Sequence, residues 1–183
     1  MVSAKLFSMT TDPLIRDIAL IKRYSRHNEA EDFRFRDFLK TGLPLSNAAL
    51  DLIVKEITDE VWSGIDCLAC GNCCKTLQVV LDEEDIARLS RRLQLTEKEF
   101  KKRFVRLEPD RTLVFKGSPC PLLGEDNRCS VYEDRPKACH DFPYLHNANF
   151  RSRSLMMIES TSTCPIVFNV WSRLKKRLQT RKR

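Results

Sequence analysis

The chain has 183 residues, a length that fits one domain with an appendage and is too short for two ordinary domains. With 42% hydrophobic and 31% charged residues, its composition is that of a globular protein with a buried core and excludes a largely disordered chain. No stretch approaches the roughly 18 consecutive apolar residues of a membrane helix, and the first residues do not resemble a signal peptide, so we expect a cytoplasmic protein without a membrane span. The five glycines form neither a dinucleotide-binding fingerprint nor a P-loop, which argues against a nucleotide-driven enzyme.

The net charge of +7 comes from the C-terminal end of the chain. Residues 173–183 carry seven basic side chains and no acidic one, so the remainder is neutral, with 25 basic and 25 acidic residues. A neutral body has no basic stripe with interleaved aromatic residues, which makes nucleic-acid binding a disfavoured hypothesis. The basic end is interpreted as a solvated helix terminus, with weak polyanion binding as the alternative.

Three helices are predicted before the cysteines. Asp12 as N-cap and Pro13 at the first helical position predict a helix, and residues 28–40 predict a second one that a Gly- and Pro-containing stretch ends. Ser46 begins a third helix that ends near Gly64 and leads into the first cysteine. The apolar face of the first helix consists of Leu14, Ile15, Ile18 and Ile21.

Beyond the first cysteines, residues 77–81 predict a short strand, and two capped helices follow it. Asp82 is the predicted N-cap of one helix, and Thr96 forms a capping box with Glu99 at the start of the other. Both helices are expected to act as a scaffold.

A hairpin is predicted in the next segment. Residues 111–115 and 129–132 have the composition of strands, and residues 124–127 have that of a turn. Such a hairpin would bring Cys120 close to Cys129.

The last helix is predicted to begin immediately after Cys164. Pro165 fits the first helical position, which makes Cys164 the N-cap. The helix dipole and the free N–H groups would then lower the pKa of this thiol and favour metal ligation; an inert capping cysteine is the alternative.

Pro136 likewise starts a short helical turn that ends near Cys139.

Eight cysteines carry the candidate chemistry. They are Cys67, Cys70, Cys73, Cys74, Cys120, Cys129, Cys139 and Cys164. Four of them form a C-x2-C-x2-C-C array, a density that cysteines scattered through a core would not produce. A tight loop, helped by Gly71, lets such thiolates turn onto one ion or cluster, so a loop that binds metal through reduced thiols is the main hypothesis. A thiol redox pair and a purely structural set are the alternatives.

The adjacent pair Cys73 and Cys74 adds a constraint. Neighbouring side chains of an extended segment point to opposite sides, which predicts that one of the two faces a different ligand set. The eight thiols fit two four-sulfur sites or one cluster with cysteines left over, and sequence does not choose between them. No second C-x2-C pair exists, so a zinc ribbon fits poorly. The C-x2-C-x2-C spacing with remote Cys-Pro pairs at Cys120 and Cys164 is similar to bacterial ferredoxin loops, which leaves zinc and iron–sulfur both open.

Other side chains near the cysteines are weaker candidates. Arg135 and Lys137 are expected to offset the negative charge of thiolates or to donate hydrogen bonds to them. The sequence leaves undecided whether His140 is a ligand. His27 and His146 lack a suitable spacing to any cysteine. The aromatic residues expected to shield the site are Tyr132 and Phe142.

Taken together, these motifs resemble the YkgJ-type cysteine-cluster family over residues 65–178. The resemblance is carried by the C-x-x-C-x-x-C-C array, the Cys-Pro-Leu-Leu at Cys120, the block from Cys129 to Cys139 with a following Phe-Pro, and the late Cys-Pro at Cys164. It implies chelation of zinc, iron or an iron–sulfur cluster by the cysteines, with no reaction established for stand-alone members; a similar domain occurs in flagellin lysine N-methylases. His140 stands where many relatives carry Arg, so it either adds an imidazole ligand or removes a positive charge.

The sequence therefore predicts an α+β fold, mostly helical with a small β-hairpin, organised around a cysteine-ligated metal or iron–sulfur site. Residues 1–64 are expected to form a helical lead-in that packs on a metal-binding domain at residues 65–178, with a basic tail at residues 179–183. The expected function is intracellular metal binding without autonomous catalysis, and the alternative is an iron–sulfur-dependent redox or methyl-transfer enzyme component. A thioredoxin-like enzyme is disfavoured because the C-x-x-C follows a helix and is joined by two further cysteines.

Overall fold

The computed structural model describes residues 13–179 and consists mostly of helices with one small antiparallel sheet. The helices are α1 (Ile18–Asp37), α2 (Asn47–Ser63), α3 (Cys67–Cys70), α4 (Asn72–Thr76), α5 (Glu83–Arg92), α6 (Glu97–Phe104), α7 (Lys137–Asp141), α8 (Ser154–Thr161) and α9 (Pro165–Gln179). The strands are β1 (Val80–Leu81), β2 (Val105–Leu107) and β3 (Leu113–Phe115). The predicted α+β class with predominant helix is confirmed. Within residues 13–179, no helix has the length and apolar character needed to cross a lipid bilayer.

Helix α1 begins later and runs farther than the sequence predicts. Its N-cap is Asp17, whose side chain accepts a hydrogen bond from Leu20 N at 2.9 Å, whereas Asp12 lies outside the described residues. The prediction of two separate helices is wrong, because α1 continues without a break into a π-helical turn at Phe38–Gly42. No Gly or Pro lies within Ile18–Asp37, so nothing in the segment interrupts a helix.

The segment before α1 is extended because it is bound to α9. Ile15 N donates to Asn169 Oδ1 at 3.0 Å, and Ile15 O accepts from Asn169 Nδ2 at 2.8 Å. Both backbone groups of Ile15 are therefore used in a contact with a distant helix. This contact explains why the helix predicted to start at Pro13 does not form there.

Helix α2 begins and ends as predicted. Ser46 Oγ accepts a hydrogen bond from Ala49 N at 3.1 Å, and Gly64 is the C-cap. The predicted interruption before it is confirmed, since the π-helical turn ends at Gly42. Cys67 follows three residues after this C-cap, so α2 positions the start of the cysteine-rich segment.

Helices α1, α2, α8 and α9 enclose the larger apolar core of the described residues, which we call the helical core. Near its centre, the ring of Trp171 makes an edge contact with Phe35 at 5.2 Å between centroids. Its indole N–H donates to Asp32 Oδ1 at 2.9 Å, and Lys175 Nζ lies 2.6 Å from the same oxygen. The core also contains Leu39, Leu50, Val54, Met157, Ile166 and Leu174.

Helices α5 and α6 pack against the strands around a second apolar core, the sheet core. Both predicted helix starts are confirmed, with capping boxes formed by Asp82 with Asp85 and by Thr96 with Glu99. The sheet core contains Leu81, Ile86, Leu89, Phe100, Val105, Phe115, Leu122 and Val131. The two cores lie on different elements, and the cysteine-rich segment connects those elements along the chain.

The predicted hairpin pairs the wrong segments. Strand β3 lies between β1 and β2, with Val114 opposite both Val80 and Arg106. Residues 129–132 do not form a strand, and Tyr132–Asp134 is a 3-10 turn.

The hairpin that β3 forms is with β2, the strand nearest to it in sequence. A tight turn joins β2 to β3, in which Asp110 Oδ1 accepts from Thr112 N at 3.0 Å. Short loops cost little entropy to close, and Pro-Asp is a strong turn dipeptide, so β2 is the favoured neighbour. The turn predicted at residues 124–127 is confirmed, and it is closed by an isolated bridge between Leu123 and Cys129.

The buried ion pair in the helical core supplies a stability prediction. Asp32 is 3% exposed, and replacing it by Ala would leave the Lys175 ammonium and the Trp171 N–H without this acceptor. We expect Asp32→Ala to lower the free energy of unfolding by about 3 kcal/mol in urea titrations. Lys55→Ala breaks the exposed pair of Lys55 with Asp59 and should change the free energy of unfolding far less, because solvent screens this pair. Equal losses for the two variants would contradict the buried role of Asp32.

Candidate metal centre

The first four cysteines lie on two short helical turns. The side chain of Asp66 accepts from Leu68 N at 2.9 Å and starts α3, which carries two cysteines, and α4 carries the next two. The extended geometry assumed for the adjacent pair Cys73 and Cys74 is therefore wrong. Side chains of consecutive helical residues point about 100° apart. Their Sγ atoms lie 4.0 Å from each other.

The join between α3 and α4 requires a glycine. Gly71 has φ of 56°, and a Cβ at this position would lie 3.0 Å from Asn127 O. The next residue, Asn72, donates from Nδ2 to Thr163 O at 2.7 Å. The cysteine loop, residues 67–74, is thus fixed between the turn at Asn127 and the residue that precedes Cys164.

Two later cysteines, Cys120 and Cys129, are joined to the cysteine loop through backbone contacts. Cys120 N donates to Cys74 O at 2.8 Å. Leu123 N in turn donates to Cys120 O at 3.1 Å, and Leu123 forms the isolated bridge with Cys129. The prediction that Cys120 and Cys129 lie close together is confirmed, although the hairpin assumed for it is not the one that forms.

Cys139 lies on the predicted helical turn, α7, which is held by a buried carboxylate. Asp85 is 2% exposed, and its Oδ1 accepts from Lys137 N at 3.0 Å and from an Arg88 guanidinium nitrogen at 2.5 Å. The same guanidinium donates to Arg135 O at 3.0 Å. The sequence analysis names neither Asp85 nor Arg88 as a residue that positions Cys139. The D-x-x-D spacing of the capping box, from Asp82 to Asp85, is the signal that identifies Asp85.

Cys164 directly precedes α9, as predicted, and is 6% exposed. Its carbonyl accepts from Phe168 N at 3.0 Å, the first turn of the helix. Burial raises the pKa of the Cys164 thiol to about 12, and hydrogen bonds from Val167 N and Ile166 N oppose this only in part. The predicted lowering of this pKa is wrong, because desolvation outweighs the helix terminus.

All eight cysteines line one cavity of about 200 Å³. They are free thiols; Cys67 is exposed, Cys164 is buried and the others are intermediate. Tyr132 and Phe142 also line the cavity, in agreement with their predicted placement beside the cysteines.

The cysteines surround the cavity without meeting at one point. Within the described part of the chain, no three Cys, His, Asp or Glu side chains are arranged to hold one metal ion. The donor set nevertheless suits a thiophilic metal, since eight cysteines line a shared cavity. Zinc and iron both accept four thiolates, so these residues fit either metal.

Burial keeps most of these thiols protonated in the absence of a cation. It raises the pKa of Cys120 to about 11 and that of Cys139 to about 12. Partial desolvation is also the main reason why the pKa values of Cys67 and Cys129 are raised. Metal ligation by these residues would therefore release protons and depend strongly on pH.

The adjacent pair is the exception. The pKa of the Cys74 thiol is lowered to about 7, mainly because the Cys73 thiol donates a hydrogen bond to its sulfur. The same hydrogen bond raises the pKa of Cys73. Cys74 is therefore the most acidic of the cysteine thiols with a shifted pKa.

Arg135 brings a fixed positive charge to the cavity. Its guanidinium lies 4.0 Å from the centroid of the Tyr132 ring and donates to Tyr132 O at 2.7 Å. This charge favours the thiolate form of Cys67 and Cys129 and partly offsets the rise in their pKa. Lys137, the other predicted cation, has an exposed side chain that does not line the cavity.

The three histidines differ in their relation to the cavity. His140 lines it, but its side chain is exposed and its Nδ1 lies 3.1 Å from Asp141 Oδ1. His146 Nδ1 lies 3.7 Å from Asp59 Oδ1, and His27 is exposed on α1. Neither of these two lines the cavity, so the structure separates them from the cysteines.

The hydrogen bond within the adjacent pair gives a prediction for thiol reactivity. Replacing Cys73 by Ala removes the donor, so the pKa of Cys74 should rise toward the ordinary value of a thiol. At neutral pH, alkylation of Cys74 by iodoacetamide in the reduced, metal-free protein should then slow by about tenfold, measured by peptide mass mapping. Cys73→Ser keeps a donor and should retain most of the reactivity. Equal rates in the Ala variant and the unaltered protein would contradict the assignment.

Comparison with known proteins identifies the family. The chain matches the family model CxxCxxCC, described as "Putative zinc- or iron-chelating domain", over residues 66–165. No curated protein and no solved structure matches the chain. The family match covers more than half of the 183 residues and includes all eight cysteines, which confirms the resemblance seen in the sequence. The protein therefore belongs to the CxxCxxCC family.

Proposed function

We propose that the protein binds zinc or iron through cysteine thiolates in the central cavity. The observation that carries this proposal is the presence of eight free thiols, from separate stretches of the chain, around one cavity of about 200 Å³. The proposed ligands are Cys67, Cys70, Cys73, Cys74, Cys120, Cys129, Cys139 and Cys164. The description of the family as zinc- or iron-chelating supports metal binding and leaves the choice of metal open.

The surroundings of the thiols favour tight ligation of a cation. Besides the cysteines, the lining includes apolar side chains such as Ile65, Phe115 and Leu122, which lower the local dielectric and strengthen metal–thiolate attraction. A divalent cation supplies the positive charge that the buried thiols need in order to lose their protons. When bound, it would act as a Lewis acid that holds the converging segments together.

We assign the metal to residues 65–178 and propose that binding, rather than autonomous catalysis, is the role of this domain. Residues 1–64 serve as a helical lead-in, and their described helices α1 and α2 pack with α8 and α9 in the helical core. Gln179 is the last residue of α9, and the rest of the basic tail predicted at residues 179–183 lies outside the described residues. Thiol ligands must stay reduced, so the proposal favours a reducing compartment such as the cytoplasm.

Metal content measures the role of a single thiol. Cys70 lies on α3 and lines the cavity, so Cys70→Ser should lower the metal bound per chain after anaerobic purification, measured by elemental analysis. His146→Ala is the matched control, because that side chain lies outside the cavity, and it should leave the metal content unchanged. Full occupancy in the Cys70 variant, or an unaltered protein that binds no metal, would contradict the proposal. Iron with sulfide and brown colour would identify a cluster, and colourless protein with zinc would identify a zinc site.

The charge of Arg135 should affect the pH at which metal binds. Arg135→Gln removes a cation that favours the thiolates of Cys67 and Cys129, so protons should compete better and the half-saturation pH should move upward. At neutral pH we expect about a tenfold weaker affinity in competition with a chelator, and the difference should shrink as the pH rises. Arg128→Gln is the control, since its exposed side chain pairs with Asp126 and does not line the cavity. An identical pH profile for both variants would contradict a role for Arg135.

A further inference from the structure

We propose that Tyr144 is a positioning residue of the cavity, whose ring closes the side next to α7 and is held there in an unfavourable backbone conformation. This inference rests on the proposed metal-binding function and adds to it a residue that controls how fast a bound cation is released. Tyr144 is not among the proposed ligands, and the sequence analysis does not name it.

The backbone of Tyr144 has a positive φ of 61°, a left-handed conformation that is sterically unfavourable for a bulky side chain. The other non-glycine residues with positive φ in the described part of the chain are Gln94, Arg111, Asn127 and Asn149. Asparagine tolerates this region, and Gln94 and Arg111 lie at the end of α5 and in the turn between β2 and β3. Of these five residues, Tyr144 alone is aromatic.

Tyr144 lies where two tight turns meet. Its N–H donates to Asp141 O at 2.7 Å, and its carbonyl accepts from Asn147 N at 3.3 Å. Glycine or asparagine is usual at such a junction, because both adopt a positive φ at little cost. Local preference therefore does not explain a tyrosine here, and a conflict of this kind between residue and backbone points to a role for the side chain.

Arg153 fixes the conformation of Tyr144 from the opposite side of the loop. Its guanidinium donates to Tyr144 O at 2.6 Å, to Ala148 O at 3.2 Å and also to Asn147 O. The planar fork of N–H donors allows one side chain to hold all of these carbonyls. An unfavourable backbone conformation persists only where its surroundings over-determine it, and Arg153 supplies that constraint.

The ring of Tyr144 lies between the cavity and solvent. The residue lines the cavity and is partly exposed, and its ring makes an edge contact with Phe142 at 6.0 Å between centroids. Its hydroxyl donates at 3.3 Å to Ala138 O, on the helical turn that carries Cys139. Both rings also pack against the helical core. The ring of Tyr144 therefore joins the helical core to α7 and forms the cavity wall beside that turn.

A wall of this kind affects the rate of metal exchange. The apolar shell around a metal site controls the access of water and of competing ligands. With the ring in place, a chelator that approaches from the side of α7 is blocked. Without it, the same chelator reaches the cavity directly, so a bound cation should leave faster.

Three substitutions separate the ring of Tyr144 from its backbone conformation. Tyr144→Phe keeps the ring, Tyr144→Ala removes the ring and leaves a Cβ at positive φ, and Tyr144→Gly removes the ring and relieves the backbone. The reduced full-length proteins are loaded with Zn²⁺, and transfer of zinc to an excess of chelator is followed over time. The Ala and Gly variants should release zinc about tenfold faster than the unaltered protein. The Phe variant loses one hydrogen bond and should stay within about threefold.

Urea unfolding of the metal-free variants distinguishes this role from a merely structural one. Tyr144→Gly should unfold at a higher urea concentration than Tyr144→Ala, because glycine adopts a positive φ without strain. Similar, fast release of zinc from both variants, despite their different stabilities, would support the inference. Release that follows stability, with Gly slower than Ala, or release unchanged in both, would overturn it.

Gln94 is the matched control, because it has φ of 57° and does not line the cavity. Gln94→Gly should likewise unfold at a higher urea concentration than Gln94→Ala, and both should release zinc at the rate of the unaltered protein. If release from these two variants also accelerates, it reports stability rather than the cavity wall, and the inference fails.

A labelling experiment on the reduced, metal-free protein does not depend on a bound cation. Alkylation by N-ethylmaleimide is mapped by mass spectrometry, and the rate at Cys139 is divided by the rate at Cys120, which packs against the sheet core. The ratio should rise severalfold in Tyr144→Ala and Tyr144→Gly and change little in Tyr144→Phe. An unchanged ratio in the Ala and Gly variants would overturn the placement of the ring. If the unaltered protein binds no zinc or iron, the proposed function fails, and this ratio alone decides where the ring lies.

Discussion

The position of the cysteine loop is the constraint on which the cavity depends. The loop is fixed at its start by the Asp66 cap, at its centre by the contact of Asn72 with Thr163, and at its end by the bond from Cys120 N to Cys74 O. The first attachment is local, whereas the other two come from residues 163 and 120, far from the loop along the chain. Because the loop itself has only two helical turns, its geometry is determined by these hydrogen bonds more than by local propensity.

Gathering the thiols in a partly buried cavity disfavours their ionisation. Burial and mutual repulsion of thiolates act in the same direction and disfavour ionisation, as the pKa of Cys139 at about 12 shows. A cation reverses this balance, because it attracts each thiolate that it contacts. The protein supplies one such charge itself, the guanidinium of Arg135, held over the ring of Tyr132. The same environment that disfavours free thiolates thus strengthens their binding to a metal.

Local sequence signals predict several helix starts well, and the eight cysteines selected from the sequence all line the cavity. Ser46, Asp82 and Thr96 act through hydrogen bonds within one turn, so their roles are visible in a few residues. Local signals fail where a distant residue determines the conformation, as where Asn169 holds Ile15 in an extended segment. They also fail for the pKa of Cys164, because desolvation raises it more than the helix terminus lowers it. The predicted strand pairing is wrong for a different reason. The sequence analysis did not recognise β2 as a strand, because β2 has only three residues and an exposed, charged central residue. The grouping of the cysteines depends on contacts between residues about 50 to 100 positions apart, which spacing rules do not describe.

The place of Cys164 immediately before α9 bears on how the protein is made. Ribosomes release the chain from its N-terminus, at about 5–20 residues per second, so the cysteine loop emerges several seconds before Cys164 does. During that interval the early thiols have no access to the sulfur that α9 carries. The thiols of the cysteine loop therefore lack this partner until α9 has been synthesised and has docked, so closure of the cavity cannot precede synthesis of Pro165–Gln179.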